Sequence, residues 1–394
     1  MAEAPTGADG RRERLIELFR AGLARVEGRR CVREALQSST SSARVWAVAI
    51  GKAAAPMALG AREALGPALE RLLVIAPAGH GAAALAAEPG TEVLDSAHPI
   101  PDERSLYAGE RLLEWLHELP PQVEPLFLIS GGASSLVEVP APGVTLDQLV
   151  RIARHGMSAG LDIRALNAER ARSSQIKGGR LAERLGGRPG RVLFISDVPG
   201  DDPALIGSGL LGPAPGGDVL RREVIASIDA AMDGAAEAAR ARGLTVHRAR
   251  TRFCGDVQRL ATQFTHELAL GNAQVYVWGG ESTLRLPAAP GRGGRNQHLA
   301  LAAARLIAGY GDLALLAAGT DGIDGPTEDA GAVVDGETCG RIAVLGFDAD
   351  DSLRRADSGR ALAAAGVLLR TGPTGTNVAD LVIGLKDAPQ RAVL

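Results

Sequence analysis

A chain of 394 residues, 46% hydrophobic and 23% charged, is long enough for two or three domains and carries enough apolar residues for a sizeable core. Its 43 basic and 46 acidic side chains nearly cancel and only 3% of its residues are aromatic, so neither a global positive field nor base-stacking platforms are available and no nucleic-acid partner is expected. Cys31, Cys254 and Cys339 are too scattered for a disulfide framework or a zinc site and fit a reducing cytoplasm. No export-type apolar segment opens the sequence and no run of about 18 apolar residues could span a bilayer, so a cytoplasmic protein with no membrane partner is expected.

After a start expected to be disordered, Leu15, Ile16, Phe19, Leu23 and Val26 share one helical face and predict an amphipathic helix over 12–26. Continuous apolar runs at 45–50, 72–76, 126–129, 192–195, 275–278 and 313–318 then read as strands buried on both faces. Helices are predicted between them near 53–65, 103–119, 145–157, 168–185, 219–242, 255–269 and 295–308. This alternation predicts an α/β fold with parallel or mixed sheets. Glycine and proline punctuate the chain at 212–217 and 287–294, and the strand rhythm restarts at Leu244 to Ala249. The expected division is therefore an N-terminal domain over 1–240 and a C-terminal domain over 241–394.

Only Lys52, Lys177 and Lys386 are lysines; every other basic residue is arginine. Where a phosphate or carboxylate must be met in one geometry, a compact ammonium and a planar fork are not interchangeable. Lys52 follows Gly51 and Lys177 precedes Gly178 and Gly179, which makes both lysines anion-binding candidates; survival from a biased composition is the alternative. Four apolar strands end in glycine or aspartate turns, at 48–56, 128–136, 194–202 and 315–325, and ligands of open α/β sheets bind at the carboxyl ends of strands. In Ser130-Gly131-Gly132-Ala133-Ser134-Ser135, backbone N–H groups can converge on a phosphate, or the glycines can simply make a tight turn.

Gly207-Ser208-Gly209-Leu210-Leu211-Gly212 reads literally as a dinucleotide fingerprint. It lacks a strand directly before it and a helix opening on its last glycine, and Pro213 follows at once. Gly51-Lys52 is not a Walker A loop either, because Trp46 replaces the first glycine and Ala53 the hydroxyl residue. Carboxylates gather at Asp197, Asp201 and Asp202, and again at Asp321, Asp324, Glu328 and Asp329. Such groups suit Mg²⁺ or can take a proton from a substrate hydroxyl, whereas Asx turns and helix caps use the same residues structurally. Gly279-Gly280-Glu281-Ser282 follows a strand, and Gly291-Arg292-Gly293-Gly294-Arg295 precedes a predicted helix. Arg295 would there present its fork to a carboxylate or phosphoryl group from a loop free to close. His98 and His298 lie near motifs, with structural roles the simpler reading for both.

These segments occur in one order across nearly the whole chain: GKAAAPM, HPIPDE, SGGASSL, Asn167 through Ser174 to KGGRLA, SDVPGDDP, GGES with GRGGRNQ, GTDGIDGPTEDAGA and TGPTGTNVADL. Together they resemble the bacterial and archaeal glycerate 2-kinase family, whose C-terminal half is the MOFRL domain. The resemblance implies two α/β domains with a cleft between them and ATP-dependent phosphorylation of D-glycerate at its 2-hydroxyl, with Mg²⁺ as cofactor. It places the family's key lysine on Lys52, its key arginine on Arg295, and its acidic, metal-binding positions on Asp197 and Asp321. Ser130, Gly131, Gly132, Ser134, Lys177, Gly178, Gly179, Gly280 and Glu281 are then the candidate nucleotide-binding positions. Leu210, Ala171, Arg172 and His298 depart from the family pattern beside the proposed centre. Two other readings remain: a nicotinamide-dependent hydroxypyruvate reductase, against which the rejected fingerprint argues, and a non-catalytic sugar-acid or nucleotide sensor. A homodimer is compatible with the sequence.

Overall fold

The computed structural model describes residues 8–37, 44–80, 82–158 and 163–387. Of the start expected to be disordered, residues 1–7 lie outside the described residues, and the rest is already helical in Ala8–Arg25. The chain divides into two compact units, each described by itself. One comprises Val26–Ser227 with Gly375–Val378; the other comprises the chain up to Arg25, Ile228–Thr374, and the chain from Ala379 onward.

The boundary thus differs from the one expected at 240. The helix Ile228–Ala241 opens the second unit by packing on Ala8–Arg25, and small residues let the two backbones approach closely. A Cβ on Gly22 would lie 2.8 Å from the Ala231 carbonyl oxygen, and one on Gly234 would lie 2.9 Å from that of Ala21. The strand rhythm that restarts at Leu244 begins after this helix.

The unit built on Val26–Ser227 contains one parallel sheet. Its strands are β1 (Val45–Ile50), β2 (Leu69–Pro77), β3 (Thr91–Ser96), β4 (Glu124–Ile129), β5 (Gly190–Ile195) and β6 (Leu220–Ala226), in the order β3-β2-β1-β4-β5-β6. β1 and β5 are buried throughout, as their unbroken apolar runs require. Trp46, Trp115, Phe127 and Phe194 belong to the core of this unit. Strand order reverses direction between β1 and β4, and in open α/β sheets that switch point is where the crevice for a ligand opens, beyond the carboxyl ends of the strands. The turns that begin at Gly51 and Ser130 leave the sheet at this point.

Two predicted helices are corrected here. The stretch 219–242 begins as edge strand β6, whose Arg221, Arg222 and Glu223 remain accessible and mimic the composition of a polar helix face. The stretch 168–185 splits into Ile163–Arg172 and Arg180–Glu183, because Gly178 and Gly179 turn away to donate N–H bonds to the carbonyls of Ser208 and Gly209 at 3.1 and 2.7 Å.

The second unit carries the mixed sheet. Its strands are β7 (Val246–Arg248), β8 (Phe253–Asp256), β9 (Val275–Thr283), β10 (Leu313–Gly319), β11 (Gly331–Asp335), β12 (Leu368–Leu369) and β13 (Asp380–Lys386). They follow the order β12-β11-β10-β13-β9-β7, with β8 also pairing β9. β7 and β8 run parallel to β9; the remaining pairs are antiparallel. The helices Val257–Leu270 and Arg295–Leu306 pack against the sheet through Leu260, Phe264, Leu299 and Ala303. The α/β class with parallel and mixed sheets is as the sequence predicts. No helix among the described residues is long and apolar enough to cross a membrane.

Candidate functional site

In the first unit, the chain leaves β1 at Gly51 and β4 at Ser130, and the two turns are laced together. The Lys52 N–H donates to the Gly131 carbonyl at 3.0 Å, Ser130 N–H to the Ile50 carbonyl at 3.0 Å, and Ala53 N–H to Ser130 Oγ at 3.0 Å. Gly51 has a φ of +130°, and a Cβ there would lie 2.1 Å from Ser130 Oγ, so both the backbone conformation and the space require glycine. Lys52 is half-buried, and its side chain runs beside Gly132, whose Cβ would sit 3.4 Å from Lys52 Cγ and 3.2 Å from His98 Nδ1. That His98 nitrogen also bonds Ser135 Oγ at 2.9 Å.

The third strand end closes this cluster. Asp197, after β5, accepts a hydrogen bond from Asn377 Nδ2 at 3.1 Å, and both side chains lie directly over Gly131. A Cβ on Gly131 would fall 2.0 Å from Asp197 Oδ2 and 2.2 Å from Asn377 Nδ2. Lys52, Ser130, Gly131, Gly132 and Asp197 are therefore neighbours, gathered from three strand ends. Ser134 stands half-buried in the short helix Ala133–Leu136 that follows.

The second unit holds a separate charged cluster. Arg295 is the first residue of the helix Arg295–Leu306 and spreads its fork over two carboxylates. Its Nε and Nη2 donate to Asp380 at 2.7 and 3.0 Å, and its Nη1 donates to Glu281 at 2.7 Å. Burial opposes the charge, but Asp380 and Glu281 outweigh it and hold the guanidinium pKa above its ordinary value. Asp380 is 1% exposed, whereas Glu281 is exposed and Arg295 keeps about a third of its side chain open, so an incoming anion can reach the outer face of the fork. Asp321 is half-buried at the end of β10, where Oδ1 accepts the Ile323 N–H at 3.0 Å, and it approaches Gly319 as Asn296 does. Gly280 is fixed by the sheet: a Cβ there would lie 2.0 Å from the Phe253 carbonyl oxygen of β8.

Comparison with known proteins gives these clusters a context. Residues 14–240 match the family described as a domain of unknown function, DUF4147, and residues 274–380 match the MOFRL family. A D-glycerate 2-kinase from Thermotoga maritima is 33% identical, over 94% of this chain and 97% of the relative. The chain belongs to the glycerate 2-kinase family. The crystal structure of glycerate kinase from Thermotoga maritima superposes with a TM-score of 0.85 at 32% identity, covering 96% of this chain and all of that one. A protein of Agrobacterium vitis named as a hydroxypyruvate reductase is 35% identical over 73% of the chain and 86% of its own length.

Other candidate positions of this family member are used within the fold of their own unit. Lys177 is 1% exposed, and its ammonium is committed to a buried ion pair with Glu138. Burial pulls the lysine pKa below its ordinary value, against the attraction of Glu138. A nucleotide contact through Lys177 is thus not supported, and Gly178 and Gly179 serve the tight turn described above. Removing one partner of a buried pair strands the other charge, so Lys177→Met is expected to destabilise the protein by about 3–5 kcal/mol. The double variant Lys177→Met/Glu138→Leu should recover most of that loss, and denaturant unfolding of the three proteins measures both effects.

The loop 291–294, expected to be free to close, is fastened instead. Gly291 N–H donates to the Arg355 carbonyl at 2.9 Å, Arg292 N–H to Asp357 Oδ1 at 2.7 Å, and Gly359 N–H to the Arg292 carbonyl at 2.8 Å. Three of the departures from the family pattern also have visible roles. Leu210 is fully buried in the first core, Ala171 lies where a Cβ on Gly178 would come within 3.0 Å of its own, and His298 is buried with Nε2 3.0 Å from Gln258 Nε2. Arg172 is exposed, and nothing in the structure explains the choice there.

Burial pulls the His298 pKa down to about 4, so the folded protein keeps this imidazole neutral. Below about pH 6.5 the unfolded chain takes up a proton that the folded chain refuses, and stability falls as the pH drops from there toward 4. His298→Gln should flatten this part of the Tm-against-pH curve, which thermal melts between pH 4 and 7 would record.

Sequence reasoning missed Asn377 as a partner of Asp197 and Asp380 as a partner of Arg295. Both lie in the last quoted motif, TGPTGTNVADL. Their one sequence signal is a polar residue placed immediately before or at the start of the apolar run VADLVIGL.

Proposed function

We propose that the protein is an ATP-dependent kinase that phosphorylates D-glycerate on its 2-hydroxyl, giving 2-phosphoglycerate and ADP, and that it works in the reducing cytoplasm. The observation that carries this reading is the gathering of Lys52, the Ser130-Gly131-Gly132 turn and Asp197 at the switch point of a parallel sheet, in a chain whose relatives include a D-glycerate 2-kinase. Phosphoryl transfer asks a protein chiefly for positioning and for neutralisation of phosphate charge. Lys52 supplies a point cation beside a glycine turn, and Arg295 supplies a planar one whose rotation is fixed by Asp380.

Magnesium, when bound with the nucleotide, neutralises charge on the phosphate oxygens and typically takes one or two protein carboxylates. No group of three metal-ligating side chains occurs among the described residues, and single carboxylates at Asp197 and Asp321 fit a metal that arrives with its phosphates. One of the two would hold the metal, and the other would accept the proton of the substrate hydroxyl. Loss of the metal ligand should raise the Mg²⁺ requirement, whereas loss of the base should lower kcat at saturating Mg²⁺. Titrating Mg²⁺ against Asp197→Asn and Asp321→Asn distinguishes these roles; two variants with unchanged kcat and Mg²⁺ dependence would exclude both carboxylates.

The strand order of the first sheet is also that of dinucleotide-binding folds, and this, with the Agrobacterium relative's name, favours a reductase as the second reading. The turn after β1 lacks the fingerprint glycines that such a cofactor needs. A coupled assay with D-glycerate and ATP, with the phosphoglycerate product identified, tests the kinase. Hydroxypyruvate-dependent oxidation of NAD(P)H without ATP turnover would replace it with the reductase.

A further inference from the structure

The helix Arg295–Leu306 starts at Gly294, which has no side chain to cap it. Asp324, from the loop after β10, takes over that task. Its Oδ1 accepts the Asn296 N–H at 3.0 Å and its Oδ2 the Gln297 N–H at 2.8 Å. A Cβ on Gly294 would lie 2.3 Å from Asp324 Cγ, so the carboxylate fits only because position 294 is glycine. Thr327 Oγ1 donates to the Asp324 carbonyl at 2.9 Å and accepts from Gln297 Nε2 at 2.9 Å, which secures the loop to the same helical turn.

From this cap the hydrogen bonds run on without a break. Asn296 Nδ2 donates to Asp380 Oδ1 at 2.9 Å, and Asp380 grips Arg295 in the two-pronged contact described above. Asp324 and Asp380 are 2% and 1% exposed, so neither carboxylate is a surface cap of convenience. Burial, with the neighbouring Asp380 charge, outweighs the two backbone N–H bonds and Arg295 and leaves the Asp324 carboxyl raised to about 7. A serine at position 294 would cap the helix locally at a smaller desolvation cost. It could not tie the loop that carries Asp321 to the helix that carries Arg295.

We propose that Asp324 is a positioning residue for Arg295: by fixing the first helical turn and, through Asn296 and Asp380, the rotation of the guanidinium, it sets the direction in which the fork meets the substrate anion. The proposal rests on the kinase reading and deepens it. Its consequence is that most of what Asp324 contributes to turnover passes through Arg295.

The test is a double-mutant cycle on the full chain, read as glycerate-dependent ADP formation at enzyme concentrations that resolve a thousand-fold loss. Asp324→Asn keeps the side-chain volume, removes one acceptor and turns an N–H group toward the helix. It should lower kcat/KM about ten-fold in the wild-type background and no more than about two-fold in an Arg295→Ala background, since residues of one network are non-additive. An equal fold loss in both backgrounds would assign Asp324 to general stability and overturn the proposal, as would an unimpaired single variant. Should Asp324→Asn fail to fold, Asn296→Ala keeps the backbone cap, cuts the link to Asp380 and enters the same cycle with the same expectation. A wild-type protein without glycerate-dependent ADP formation would overturn the kinase reading, and this proposal with it.

Discussion

Lys52→Ala is expected to lower kcat/KM by about two to three orders of magnitude while leaving the fold intact. The size follows from removing a pre-oriented charge at a site of phosphate chemistry, where such groups are worth roughly 10²–10³ in rate. The intact fold follows from the local geometry, because the turn is held by the Lys52 backbone N–H on Gly131 and by Ser130 Oγ. Lys52→Arg separates charge from shape. A planar fork and a compact ammonium meet a phosphate in different geometries, so Lys52→Arg should restore little activity even though the charge is kept. Lys386→Ala is the control, since Lys386 Nζ donates to the carbonyls of Ala269 and Gly271 at 2.7 and 3.4 Å at the end of β13, away from Arg295 and its partners. Steady-state kinetics on the three variants, with melting curves to match folding, decides the matter. Comparable activity in Lys52→Ala and Lys386→Ala would remove Lys52 from the site.

Arg295→Ala should cost as much, and for two reasons that can be told apart. Loss of a desolvated charge contact to substrate typically costs about 2–5 kcal/mol, which corresponds to roughly two orders of magnitude or more in kcat/KM. The same substitution also leaves Asp380 buried without its counter-ion, so stability should drop as well. Adding Asp380→Asn to Arg295→Ala removes the stranded charge and should restore much of the stability but none of the activity. The kinetic signature then identifies the anion that Arg295 meets. A rise in KM for glycerate with kcat preserved points to the substrate carboxylate, and a fall in kcat points to the group in transfer. If both parameters stay near wild type in Arg295→Ala, the fork binds only its own carboxylates.

What could be read from the sequence was whatever leaves a local trace. β1, β4, β5 and β10 are buried on both faces, and each shows as an apolar run that ends in a distinctive turn. The order of those turns gave the fold class and most of the charged residues of both clusters. Edge strands were hidden for the converse reason: β3 and β6 expose polar side chains and look like loop or helix. Partnerships were invisible because they join distant positions, Asn377 with Asp197 across 180 residues and Arg295 with Asp380 across 85. Lys177 shows the opposite error. A rare residue in a glycine turn looks functional, and only burial beside Glu138 discloses that its charge is used inside the protein.

The interleaving of the two units bears on how such a chain can be cut, fused or recombined. A gene fragment ending at Ser227 would encode the whole parallel sheet yet lack the Gly375 carbonyl that accepts the Gly28 N–H at 3.0 Å, and would lack Asn377 over Asp197. A fragment starting at Ile228 would expose the face of the helix Ile228–Ala241 that Ala8–Arg25 covers. Neither half is a transferable module. Insertions at the apparent midpoint and swaps of one half between relatives should therefore yield unstable products unless residues 8–25 and 375–378 travel with the unit each completes.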